Sequence, residues 1–370
     1  MAKIVQMLPA LGWGGAQMFC IQLSNELAKN PDYEITLVSL YHHTQHHMST
    51  DLIDKRIKFV TLGKKRGLDL NIFKRVHKLL KEIKPDVVHT HLHAGYYAMW
   101  AYLKLPNTFS KIHTFHSLVT KDAPPHGRWM YKYFFNKGII HPVSISEEVF
   151  KGAVEEYGSC IKTLIHNGSV PVQPTEKFQS VKDAIAAFKK NRDTKVMVSV
   201  GRVYKVKNHQ AIIDSMKVLE AEGENVIALI VGGYLPEDKE LYDHLLRTKP
   251  GNVHFIGKVS NVGDYLLNAD AFLMPSLYEG LPISLLEAMS AGAVPVCTPV
   301  GGLLDIIKPN IGFLSKDVST SSYLSAIKEF LKTNPAEIEK LKANAKALYQ
   351  NEFSMESCAA KYNKLYFEKA

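Results

Sequence analysis

Residues 275–302 read PSLYEGLPISLLEAMSAGAVPVCTPVGG. The apolar run AFLMPS enters this stretch as a buried strand, and Leu277–Leu281 forms a loop. Pro282 suits the first turn of a helix, because its fixed φ fits there and its missing N–H is not needed. The helix runs to about Ala291, where Gly292 stops it, and AVPVCT begins a second strand. A strand, a helix and a strand in this order form one unit of a parallel sheet. Two glutamates, Glu279 and Glu287, stand in this mostly apolar segment with seven residues between them.

The same alternation extends in both directions. KIVQML is a strand followed by a glycine-rich turn at Gly12, Gly14 and Gly15, then a helix through Phe19, Leu23 and Leu27. EITLVSL, DVVHTH, SKIHTFH and HPVSIS continue the strands, and residues 71–83 carry apolar positions at helical spacing. NGSVPVQPTEKF, residues 167–178, breaks the pattern with two prolines and a glycine and reads as a linker. The series then restarts with KVMVSVGR, NVIALIVGG, VHFIG and the strands above, and ends in a helical stretch from Ser321. A chain of 370 residues is long enough for two full cores. The expected class is α/β: two doubly wound domains, residues 1–170 and 171–354, with a cleft between them at the carboxyl ends of both sheets, where such sheets bind ligands.

Chemistry concentrates in the second half. Glu279 precedes its helix, and amides near Gly280 and Leu281 point outward from a helix start, which is an anion site. Glu287 lies among Ile283, Leu285, Leu286, Ala288 and Met289. A buried carboxylate needs a cation or several hydroxyl donors. A ribose, with two adjacent hydroxyls, and a structural salt bridge to a Lys or Arg satisfy it equally well. In VSVGRVYKVKNHQ, Arg202 and Lys207 stand between a strand and a helix. Two cations there suit a diphosphate; ordinary surface cations are the alternative.

GRVYKVKNH resembles the arginine-and-lysine loop of the GT-B glycosyltransferases of family 4, and PSLYEGLPISLLEAMSAGAVPV resembles that family's Glu-x7-Glu signature. The resemblance runs from Gly14 through Asn167-Gly168 to Gly301-Gly302. It implies a retaining hexosyltransferase that takes a nucleotide-sugar donor, most often a UDP-sugar, and needs no metal or other cofactor. By resemblance, Arg202 and Lys207 hold the diphosphate, Glu279 orients the transferred sugar and Glu287 binds the ribose. Gly280, Leu281 and Pro282 line the pocket, and Gly14 and Gly15 form a tight loop near phosphate and acceptor. Val259 contacts the base, His116 contacts the sugar, and a last helix at 355–370 packs back on the first domain. The acceptor implied is a glycan or lipid-linked sugar in polysaccharide or lipopolysaccharide-type assembly. Two departures bear on donor preference: Leu303-Leu304-Asp305 follows the glycine pair where the family often has proline and glutamate, and Thr298-Pro299-Val300 precedes it.

Other features are less specific. Residues 1–170 hold 21 Lys and Arg against 13 Asp and Glu, so the first half is basic. Such asymmetry fits an anionic partner. The exposed face carrying Lys74, Lys78 and Lys81, and the mixed stretch RWMYKYFFNK at 128–137, suit an anionic membrane surface or an ordinary solvated face. No recognisable nucleic-acid module accompanies the charge. HHTQHH at 42–47 reads as a solvated loop. His89, His91 and His93 alternate, which places them on one face of an extended chain; His91 and His93 are candidates for an acceptor contact, a structural role or, least of all, a metal. The four scattered cysteines, the lack of a signal-peptide pattern and the lack of a spanning segment lead to an expectation of a cytoplasmic protein, and the basic first half leaves open peripheral docking on the membrane's inner face. A GT-B enzyme with a small soluble acceptor, a nucleotide-sugar epimerase, and a basic binding protein without transferase activity are the alternatives.

Overall fold

The structure is a computed structural model and describes residues 1–12, 14–43, 50–67, 69–105, 109–117, 119–121 and 123–367. Residues 44–47 of the histidine-rich stretch, and 368–370 of the expected last helix, lie outside the described residues. The chain divides into two units, Met1–Ser169 with Phe353–Ala370, and Val170–Glu352.

The first unit contains β1 (Ala2–Leu8), β2 (Tyr33–Ser39), β3 (Lys58–Thr61), β4 (Val87–His91), β5 (Ser110–Phe115), β6 (His141–Ser144) and β7 (Thr163–Leu164). They form one parallel sheet in the order β3-β2-β1-β4-β5-β6-β7. The second unit contains β8 (Lys195–Val200), β9 (Val226–Val231), β10 (Val253–Gly257), β11 (Ala271–Met274), β12 (Val294–Cys297) and β13 (Phe313–Leu314), in the order β10-β9-β8-β11-β12-β13. Helices alternate with strands in both. The residues of VIALIV in β9 are all buried, as a strand covered on both faces requires. Among the described residues, no helix is long and apolar enough to cross a membrane.

Each sheet winds outward from its first strand and then reverses. The reversal falls between β1 and β4 in the first unit and between β8 and β11 in the second. At such a point, neighbouring loops leave in opposite directions and open a crevice at the carboxyl ends of the strands. Gly201 and Gly232, which end β8 and β9, let the backbones close in beside this point. The Gly201 amide donates to the Val231 carbonyl at 3.0 Å, and a Cβ on Gly232 would stand 1.9 Å from the Gly201 oxygen.

The helix Met355–Phe367 belongs to the first unit. Its entry is pinned by two backbone bonds, Ser169 N to Phe353 O at 3.0 Å and Met355 N to Ser169 O at 2.8 Å. Gly168 is needed at this crossing, since a Cβ there would lie 2.7 Å from Cys358 Cβ and 2.8 Å from Ser354 O. All four cysteines are free thiols.

Three strands are not evident in the sequence pattern: β3, β7 and β13. They have four, two and two residues, too few to show a period. RWMYKYFFNK lies mostly in the helix Pro125–Asn136, with Tyr131, Phe134 and Phe135 in the core and Trp129, Lys132 and Tyr133 exposed.

Gly232→Ala forces backbone against backbone, with no flexible side chain to give way. Its expected cost is roughly 3 kcal/mol. Urea unfolding followed beside the parent protein measures it, and an unchanged midpoint would contradict the close approach.

Candidate functional site

The loops after β8 and β11 meet where the second sheet reverses. After β8 the chain passes Gly201 and Arg202, anchors on buried Val203, forms a short turn at Lys205–Lys207 and enters the helix His209–Ala221 through Asn208 at φ +50°. After β11 it runs from Pro275 to Pro282 and enters the helix Ile283–Ala291, which Gly292 ends at φ +84°. No side chain caps the N-terminus of either helix, so the positive ends of both dipoles stay open to an anion.

Two contacts join these loops, and two more tie the segment after β12 to the second of them. The Leu277 amide donates to the Val206 carbonyl at 2.8 Å. Lys207 Nζ donates to Glu279 Oε1 at 2.6 Å, with 15% and 11% of the two side chains exposed. The Gly302 amide donates to the Gly280 carbonyl at 2.7 Å, and a Cβ at Gly302 would fall 2.3 Å from that oxygen. The Thr298 hydroxyl, from the loop after β12, donates to the Ser276 carbonyl at 2.6 Å. Leu281 and Pro282 are buried beneath this junction.

Lys207 is therefore no ordinary surface cation. Arg202 is more open, with 40% of its side chain exposed. Its guanidinium stacks 4.2 Å over the Tyr204 ring and lies 3.8 Å from Asp238. Tyr204 and Asp238 carry no sequence signal of their own. Glu287 keeps part of its surface accessible, but burial pushes its carboxyl up to about 7. Among the described residues, no Lys or Arg pairs with it, so the salt-bridge explanation of this carboxylate falls away. Val259 follows β10 and is half-buried.

The remaining candidates lie in the first unit. Gly14 and Gly15 begin the helix Gly15–Leu27, whose N-terminus also lacks a side-chain cap. Gly14 is extended, at φ −167°, rather than in a tight turn, and the Gln17 side chain lies beside it. His116 follows β5 and is 8% exposed. The expectation for His89, His91 and His93 needs correction. β4 ends at His91, Leu92 turns the chain at φ +52°, and His93 stands just before the helix Ala94–Lys104. Only His89 and His91 share a face, with ring centroids 4.1 Å apart. His91 is completely buried and both its ring nitrogens are engaged, by His116 at 2.9 Å and Gln6 at 2.8 Å, so it is no acceptor contact. His93 is partly exposed and keeps that candidacy. The signal that could have found Gln6 is a polar residue inside the buried run Ile4–Leu8 of β1. Among the described residues, no three His, Cys, Asp or Glu are grouped to hold a metal ion.

The family described as Glycosyltransferase Family 4 matches residues 13–168, and the one described as Glycosyl transferases group 1 matches residues 180–348. The two adjoin at the unit boundary and together span most of the chain. The chain belongs to the GT-B glycosyltransferases of the family 4 type. Among relatives of this glycosyltransferase is the Escherichia coli UDP-Gal:alpha-D-GlcNAc-diphosphoundecaprenol alpha-1,3-galactosyltransferase, 25% identical over 87% of this chain and 86% of that protein. Among solved structures, a glycosyltransferase from Rickettsia africae superposes with a TM-score of 0.82 at 18% identity, covering 99% of this chain and 98% of the other. Anabaena HepE, in complex with UDP and glucose, gives 0.78 at 15% identity over the whole of both chains. These structures share the fold.

The Glu287 carboxyl has a sign to test. In the folded glycosyltransferase it keeps its proton up to about pH 7, whereas the ordinary carboxyl loses it near 4.5. Between these values the fold binds more protons than the unfolded chain, so stability contributed at this position falls as pH rises. Glu287→Gln is expected to raise the stability of the ligand-free protein at pH 8 by roughly 2 kcal/mol, and to leave it unchanged near pH 4. Unfolding curves at the two pH values measure this. A loss of stability at pH 8 would show that the carboxylate is paired after all.

Proposed function

We propose that this glycosyltransferase moves a hexose or N-acetylhexosamine from a UDP-sugar to a glycan or lipid-linked acceptor, with retention at the anomeric carbon and no metal ion. The observation that carries this reading is the Lys207–Glu279 pair at the switch point, with Glu287, on the helix that follows, unpaired among the described residues. The printed name of the Escherichia coli relative, a UDP-sugar enzyme with a diphosphoundecaprenol-linked acceptor, supports the donor and acceptor classes.

In this mechanism the diphosphate displaces Glu279 from Lys207. Lys207 then neutralises the leaving phosphate, with Arg202 and the helix starts adding positive potential, so the charge that develops is met without a metal. The released Glu279 accepts hydrogen bonds from the sugar hydroxyls. One exchange of partners thus binds the phosphate and orients the sugar. Gly280, Leu281 and Pro282 shape the wall, Val259 meets the base through its main chain, and Glu287 accepts the two ribose hydroxyls. Gly14 and Gly15 lie by the phosphate and acceptor, His116 meets the sugar, and His93 remains an acceptor candidate. The bond from the anomeric carbon to the diphosphate oxygen breaks. The acceptor oxygen bonds to the same face of that carbon, and its proton passes to the departing diphosphate oxygen.

Calorimetric titration with UDP and GDP, with and without a chelator, tests the donor site. UDP is expected to bind whether or not chelator is present, and Glu287→Ala is expected to weaken it about tenfold or more, the loss of hydrogen bonds to a charged group. Binding of neither nucleotide would overturn the reading.

We further propose that the first unit docks on an anionic lipid surface through the exposed face of the helix Pro125–Asn136. Trp129, Lys132 and Tyr133 project there, with Lys137 beside them. Amphipathic aromatic rings suit a headgroup layer, and each lysine near an anionic surface adds about 1 kcal/mol. Flotation with phosphatidylglycerol vesicles should recover the protein at low salt and lose it at high salt. Trp129→Ala with Lys132→Ala should weaken recovery, and no binding at low salt would refute the docking.

A further inference from the structure

The interior of the first unit contains a continuous chain of polar side chains that ends at His116. Gln6 on β1, His89 and His91 on β4, and Thr114 on β5 lie on neighbouring strands, and Tyr362 and Tyr366 come from the helix Met355–Phe367. All six are at most 1% exposed. Gln6 Nε2 donates to the Tyr366 hydroxyl at 2.9 Å, and Gln6 Oε1 lies 2.8 Å from His91 Nε2. His91 Nδ1 lies 2.9 Å from His116 Nε2. On the other branch, Tyr366 Oη is 2.7 Å from His89 Nδ1, His89 Nε2 is 2.7 Å from Thr114 Oγ1, and Thr114 Oγ1 is 2.9 Å from Tyr362 Oη.

Protonation follows from these contacts. Burial first, and then the neighbouring histidines, hold His89 and His91 well below the usual imidazole range and bring His116 down to about 3. Each ring is neutral, with one N–H and one bare nitrogen. With the Gln6 amide nitrogen turned to Tyr366, its oxygen faces His91, so His91 Nε2 must donate. His91 Nδ1 is then bare and accepts from His116 Nε2–H. This leaves His116 Nδ1 as a lone pair, buried and without a hydrogen-bond partner among the described residues. The Tyr366 proton passes the same direction into the other branch: to His89 Nδ1, from His89 Nε2–H to Thr114, and from Thr114 to Tyr362. Reversing the Gln6 amide would reverse every link and place a proton on His116 Nδ1.

We propose that Gln6, His91 and Tyr366 are positioning residues that fix the tautomer of His116, so that its Nδ1 accepts a hydrogen bond from a hydroxyl of the donor sugar. The assignment of that hydroxyl rests on the glycosyl-transfer reading; the tautomer does not. A hydroxyl that donates is favoured over a group that only accepts, which a bare nitrogen in a buried site repels. The amide of Gln6, remote from the sugar, thus sets which sugar groups the site takes.

The test is two-bond proton–nitrogen correlation NMR of ¹⁵N-histidine-labelled protein at pH 7, with the His116 signals assigned by their absence from His116→Gln. The expected result is a single tautomer with Nδ1 bare and Nε2 protonated. Gln6→Met should convert it to a mixture and lower kcat about tenfold, the worth of one aligned hydrogen bond, with UDP affinity unchanged. Gln6→Glu, which still accepts from His91, should restore both the tautomer and kcat. If Gln6→Met does not fold, Tyr366→Phe frees the same amide to turn and should give the same mixture. A proton on His116 Nδ1 in the parent protein, or a single unchanged tautomer in a folded Gln6→Met, would overturn the proposal. The expected tautomer in a protein with no transfer activity would instead count against the glycosyl-transfer reading alone.

Discussion

The ion pair between Lys207 and Glu279 bridges the point at which the strand order of the second sheet reverses. Loops leaving β8 and β11 diverge there, and little else but the Leu277–Val206 backbone bond ties them. Both charges are largely withdrawn from water. Removing either one would strand the other, at a cost of roughly 3–5 kcal/mol where burial is complete and less where, as here, some exposure remains. The pair is thus a structural tie, and in the proposed mechanism it is also a set of contacts that an arriving diphosphate takes over. Gly201 and Gly302 serve the same junction, the first lying against the Lys207 stem and the second against the Gly280 carbonyl.

The two units solve the burial of polar groups differently. In the second, Glu287 has no partner among the described residues, and burial raises its pKa. In the first, Gln6, His89, His91, Thr114, Tyr362 and Tyr366 hydrogen-bond one another in an open series that reaches His116, whose Nδ1 has no hydrogen-bond partner among the described residues. A buried polar atom without a partner is costly to keep. Both of these groups fall just beyond a strand's carboxyl end or on the helix that follows it. That is where a doubly wound sheet presents its loops to a ligand.

Much of this could be read from the chain. AFLMPS, Pro282 and Gly292 delimit a strand and a helix because apolar runs, a proline start and a left-handed glycine stop act locally. Short edge strands such as β7 and β13 were not legible, because two residues carry no period. The site divides in the same way. Lys207 and Glu279 could be assigned to loops from local signals, but their contact spans 72 positions and depends on strand order. His93 was misplaced because alternation in HTHLH assumes a strand through it, whereas Leu92 takes φ +52° and ends the strand at His91. The bond from Gln6 to Tyr366 spans 360 positions, and no local pattern announces it.

That last bond has a consequence for how the molecule comes into being. The first unit leaves the chain at Ser169 and is rejoined only at Phe353, with all of Val170–Glu352 between. During synthesis the second unit is therefore complete while the first still lacks Tyr362 and Tyr366, the rings that cover His89 and close its polar interior. Until the final helix emerges, that interior stands open to water. The nascent chain must carry an unfinished sheet for as long as it takes to build an entire second one.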